Sequence, residues 1–126
     1  MASQLFDTVA KEDHLSLYEN GKPKHSRIFK YLDFNKNDVA KATGVAKNSI
    51  RYDYRIPAEV RDRLKEWANL LNLVAGFFGG DEEKTVQWIM TPNPMLGDFS
   101  PRDMIRLGRY KKLIKFILTA IDENKA

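Results

Sequence analysis

From Pro57 onward, apolar residues return at the spacing of a helix. Val60, Leu64, Trp67, Leu71, Val74 and Phe78 are separated by steps of 4, 3, 4, 3 and 4, which holds them on one face. Leu70, Leu73 and Phe77 add a second stripe, so the C-terminal half of this helix is expected to be buried all round. Pro57 suits the first turn and Gly79-Gly80 the end. Residues 1–25 are weakly patterned, with a turn signal at Asn20-Gly21-Lys22-Pro23, and read as a mobile arm or a short helix near Leu5 and Phe6. Ser26 is placed to cap a helix carrying Ile28, Phe29 and Leu32. Asn35 stands three residues before Asp38, the spacing of a capping box, and the helix that follows stops at Gly44. A second short helix is expected over Lys47–Tyr54.

Downstream, Asp81 caps a helix with Val86, Trp88 and Ile89 inward, and Thr91-Pro92-Asn93-Pro94 breaks it. Ser100-Pro101-Arg102-Asp103 starts another helix, and a last one runs from Arg109 to Asp122. No strand of convincing alternation appears. The pattern predicts an all-α protein: an arm over 1–25, a helix-turn-helix bundle over 26–56, a linker helix over 57–80 and a small C-terminal helical domain over 81–126.

Composition fits one compact unit. The chain has 126 residues, 43% hydrophobic and 30% charged, which is too apolar for a disordered chain. Its richest apolar run, Leu70 to Phe78, contains Asn72 and is far shorter than the ~18 residues of a membrane span. No secretory signal is visible and no cysteine is present, so a cytoplasmic protein without disulfides or thiolate metal sites is expected. The net charge of +4 is uneven. Residues 35–67 carry eight basic and five acidic side chains, and residues 99–126 seven and three; residues 68–98 between them carry one and four. Basic segments attract phosphate backbones, but such a charge is equally that of a solvated surface unless a DNA-binding geometry accompanies it.

Such a geometry is suggested by the segment Asp38 to Tyr52. Ala40 is small where two helices cross, Gly44 takes the turn, and Ile50 plugs the second helix into the core, with Val39 and Val45 in support. In a helix-turn-helix the second helix lies in the major groove. Lys47, Asn48, Ser49, Arg51 and Tyr52 would face the DNA, with Lys41 and Arg55 placed for backbone contacts. The alternative is a plain helical corner. Ala46, where a capping Ser or Thr is common, and Asp53, on the groove side, depart from the pattern.

Chemistry of other kinds finds little support. His14 and His25, the two histidines, fall in the weakly patterned arm and have no evident triad partners. A structural zinc site is not expected with two histidines and no cysteine, and no phosphate-binding glycine loop occurs. Asp81, Glu82 and Glu83 read as charges at a helix start rather than as an acid/base pair. No enzyme activity, metal or cofactor is expected.

The C-terminal half carries a longer motif. Gly80-Asp-Glu-Glu-Lys84, Trp88-Ile-Met-Thr-Pro-Asn-Pro-Met-Leu-Gly97, Ser100-Pro101 and Gly108-Arg109 follow one another, after the helix-turn-helix and an Ile-Pro-Ala-Glu stretch. This order resembles the Xre/MbcA/ParS-type antitoxins over residues 26–121. It departs at Asp98, where a second glycine is usual, and in a last helix rich in Lys and aromatic residues. The resemblance implies an antitoxin that silences a cognate toxin of the RES-domain class, which consumes NAD, and that represses its own operon. Carried onto this chain, toxin contacts would come from Thr91, Pro92, Asn93, Pro94, Met95, Leu96 and Gly97, and from Arg109, Lys112 and Phe116 of the last helix. A stand-alone helix-turn-helix regulator without a toxin is the alternative. Palindromic operators also imply a homodimer, or a hetero-oligomer with the toxin.

The last helix is compatible with this. Around Ile117, its apolar residues cover an arc of roughly 200°, wider than one packing contact needs. Burial on two sides of the chain's own core accounts for such an arc, and so does a protein–protein interface at Phe116 or Leu118. Trp67 and Trp88 read as core.

Overall fold

The computed structural model describes residues 10 and 12–125. Among the described residues, six α-helices make the fold: α1 His25–Leu32, α2 Lys36–Thr43, α3 Ala58–Phe77, α4 Glu82–Met90, α5 Pro101–Arg106 and α6 Tyr110–Lys125. Short 3-10 turns occupy Lys47–Ser49 and Pro94–Leu96. The all-α expectation holds, apart from a small antiparallel hairpin of β1 Tyr18–Glu19 and β2 Lys22–Pro23. Its two-residue turn, Asn20-Gly21, has both φ angles positive, as a type I′ turn requires.

Local chemistry sets the helix ends. The Asn35 side chain accepts from Asp38 N and the Asp38 side chain from Asn35 N, both at 3.0 Å, closing the expected capping box. Gly44 ends α2 at φ 76°. Asp81 accepts from Lys84 N at 3.0 Å, and Ser100 from Asp103 N at 3.1 Å. Two boundaries differ from the sequence reading. Residue Ser26 lies inside α1, whose cap position is Lys24 without a side-chain bond. Pro57 stands just before α3 rather than within it.

One core runs from Leu15 to Ile117, with α3 through its middle. Trp67 is 1% exposed and meets Phe34 edge to face at 5.5 Å. The described part of the arm belongs to this core: Leu15 and Leu17 are fully buried. Asn72 explains itself here. Its Oδ1 accepts from Leu15 N at 3.1 Å and its Nδ2 donates to Asp13 Oδ1 at 2.9 Å, fastening the arm to α3. Leu5 and Phe6, the candidate helix of the arm, lie outside the described residues.

Arg102 joins the two halves of the chain. Its Nε donates to Leu32 O at 2.6 Å and its Nη2 to Asp33 O at 2.7 Å, while its guanidinium lies 5.3 Å over the Phe34 ring. These carbonyls close α1, where a helix leaves its last acceptors without internal partners.

Candidate functional site

Two surfaces gather the residues singled out from the sequence. The first is the corner after α2. The expected helix over Lys47–Tyr54 is reduced to the 3-10 turn Lys47–Ser49, followed by turns up to Pro57. The cause is local. Asn, Ser, Tyr and Asp are weak helix formers, and Asp53 Oδ1 accepts from Arg55 N at 2.8 Å, satisfying the backbone in a non-helical way. Ile56, before Pro57, is also biased away from helix. Lys41, Lys47, Asn48, Ser49, Arg51 and Arg55 are all exposed, and Ile50 is buried as expected. Tyr52 is different. It is half-buried, stacked on His25 at 4.2 Å with 9° between the rings, and meets Phe29 edge to face. Its hydroxyl is pushed above the usual tyrosine range by burial. The same burial holds the His25 imidazole below its ordinary value. Tyr52 therefore packs the corner, and the exposed tyrosine is Tyr54, whose hydroxyl accepts from Arg55 Nε at 3.2 Å.

The second surface is an open apolar groove of about 200 Å³ between the end of α3, α4 and α6. Val74, Phe77 and Phe78 form one wall, Phe116, Ile117 and Ile121 another, and Trp88 and Asn93 close the end. The end of α3 is not buried all round: Phe77 is 47% exposed and Leu73 and Phe78 are half-buried. On α6, Leu113 and Ile117 are buried, whereas Phe116 and Leu118 are half-buried. Trp67 is core as read; Trp88 is only half-buried and lines the groove. Phe77 and Trp88 were thus missed as surface-forming residues, because periodicity reports which side chains share a face and not whether anything covers it.

The Thr91–Gly97 loop borders this groove and is internally fixed. Asn93 Oδ1 accepts from Met95 N at 2.9 Å, Asn93 N donates to Phe99 O at 3.0 Å, and Asp98 N donates to Asn93 O at 3.0 Å. Gly97 and Asp98 both take the left-handed conformation, at φ 70° and 67°. Asp98 takes a conformation that favours glycine, and its N–H still closes the loop onto Asn93 O. Thr91, Pro92, Pro94 and Gly97 are exposed and Met95 is 79% exposed, while Asn93 and Leu96 are half-buried.

The residues assigned together on α6 separate in space. Phe116 joins Asn93 in the apolar groove. Arg109 and Lys112 line a different, polar cleft with Ala42 of α2 and Arg63 of α3. His14 is exposed and pairs with Glu12 at 3.8 Å. Glu82 accepts from the Tyr31 hydroxyl at 2.8 Å. Among the described residues no group of three or more His, Asp or Glu could hold a metal ion, and no helix is long and apolar enough to cross a membrane.

Fold and surfaces together define an all-α helical bundle with a polar, basic corner at one end and an apolar groove at the other. No family model matches the chain. It is similar to Antitoxin Xre from Yersinia enterocolitica serotype O:8 / biotype 1B (strain NCTC 13174 / 8081), 28% identical over 82 residues. The match covers 62% of this chain and 55% of that protein, so the chain spans about half the length of the curated relative it matches.

Proposed function

We propose that the chain is the antitoxin of a type II toxin–antitoxin pair, a cytoplasmic, non-enzymatic protein that binds and blocks a RES-domain toxin. The observation that carries this reading is the apolar groove, rimmed by Phe77 and Phe116, beside the rigid Thr91–Gly97 loop. A partner side chain entering it would bury apolar surface at ~25 cal/mol per Å². The likeness to a protein named Antitoxin Xre points the same way. Co-purification with the product of the adjacent gene tests the reading. Phe77→Ser should weaken the complex about tenfold, as for a moderate interface anchor, and lower thermal stability only slightly, because Phe77 is 47% exposed and meets Phe78 edge to face. The reading fails if no complex forms, or if Phe77→Ser and Met95→Ser both bind at full strength.

A second reading is supported by the exposed cations and Asn48 around the Gly44 turn: the corner holds operator DNA and represses the chain's own operon. With one 3-10 turn in place of a full helix, phosphate contacts would dominate over base reading. Arg51→Gln should lower the salt slope of binding by about one unit. Operator binding implies a two-fold dimer, or an equivalent assembly with the toxin, which sizing in solution measures.

A further inference from the structure

We propose that the cleft where α2, α3 and the start of α6 meet is a phosphate-backbone site for duplex DNA, which makes the C-terminal unit part of the DNA-binding surface. This rests on the DNA reading above and extends it. The cleft has a volume of about 770 Å³. Four cations line it, Arg63, Arg109, Lys111 and Lys112, against one carboxylate, Glu66. That carboxylate is already in ion-pair contact with Arg63 Nε, without hydrogen-bonding alignment. Arg109, Lys111 and Lys112 are exposed and have no ion pair among the described residues. Arg109 is held in place by its position 5.3 Å over the Phe99 ring. The 16-residue α6 also begins here, so the positive end of its dipole adds to the same field. Tyr110, in the cleft wall, is pushed up to about 12 by burial and by the Glu66 charge, so its hydroxyl stays neutral at physiological pH.

Position favours DNA as the occupant. Ala42 lines the cleft and sits next to Lys41, near the end of α2. Lys47, in the corner turn, is five residues beyond Ala42, so the two Cα atoms are at most about 18 Å apart. That is about half a helical turn of B-form DNA, within which phosphates recur every ~1.7 Å of axis. We place one duplex across both, with its backbone in the cleft.

The test uses the full chain and a short fluorescent duplex of the upstream region, with anisotropy read between about 50 and 200 mM salt. Arg109→Gln with Lys112→Gln should reduce the salt slope by about two units and weaken low-salt binding about tenfold, with helix content and melting temperature unchanged. Lys112→Arg, which keeps the charge, should bind normally. If the double variant keeps the affinity and slope of the unmodified chain while Lys47→Gln with Arg51→Gln weakens both, the cleft proposal falls and the corner reading stands. Absence of binding by the unmodified chain at low salt overturns both. Loss of the protein partner with DNA binding intact makes the cleft a protein-docking site and also overturns the proposal.

Discussion

Removing the Arg102 guanidinium should loosen the junction between the two halves of the chain. Arg102→Met keeps an unbranched apolar stem but deletes the guanidinium, and with it the two bonds to Leu32 O and Asp33 O and the contact with the Phe34 ring. A hydrogen bond from a charged donor contributes about 1.5–3 kcal/mol. The bond to Leu32 is partly buried and counts fully; the bond to Asp33 is exposed, and water replaces much of it. The contact with the half-buried Asp38 adds little, because at 3.6 Å it is too long for a hydrogen bond. A loss of about 2.5 kcal/mol is expected. At ~2.1 cal/mol/K per residue, unfolding of 126 residues carries ~0.26 kcal/mol/K, so the melting temperature should fall by about 9 °C. Thermal unfolding followed by far-ultraviolet circular dichroism reads this directly. Arg102→Lys should recover less than half, because an ammonium cannot reproduce the fork. A fall of less than about 2 °C for Arg102→Met would mean that water substitutes for the guanidinium, and the junction would then rest on apolar packing alone.

Two further changes test the attachment of the arm. Asn72→Leu leaves the buried Leu15 N–H without its acceptor and should cost about 2–3 kcal/mol in urea unfolding, despite the added hydrophobicity. Burial pushes the Asp13 carboxyl up, but hydrogen bonds from Leu17 N, Asn72 and Tyr18 N, with the attraction of Arg27, outweigh it and hold the group below its ordinary range. A carboxyl depressed on folding contributes stability that is complete above its unfolded value near ~3.9 and is lost as pH falls through the folded value. Acid titration of unfolding should therefore be shallower below pH ~4 in Asp13→Asn than in the unmodified chain.

What the sequence revealed was what depends on near neighbours. The capping box at Asn35 and Asp38, the left-handed Gly44, the caps Asp81 and Ser100, and the proline-bounded loop are decided within a few residues and could be read directly. The corner helix was misjudged because an amphipathic pattern does not show that Asp53 will turn its carboxylate onto Arg55 N. Leu15 and Leu17 looked like part of an arm because their anchor, Asn72, lies 57 residues from Leu15. The carbonyls held by Arg102 are 70 and 69 residues away. For the candidate site, the Thr91–Gly97 loop stood out as a motif and Phe116 through the wide apolar arc of the last helix. The division that sends Phe116 to an apolar groove, and Arg109 and Lys112 to a cationic cleft, depends on which face of α6 meets which neighbour.

The 20-residue α3 spans about 30 Å, and it touches the cleft with Arg63 and the groove with Phe77. Those two positions are 14 residues apart, a rise of about 21 Å along one straight rod. On α6 the two surfaces come much closer, because Lys112 of the cleft and Phe116 of the groove are four residues apart, a rise of about 6 Å. Bulky guests at both surfaces would therefore meet across one turn of α6, so occupancy of one bears directly on the other.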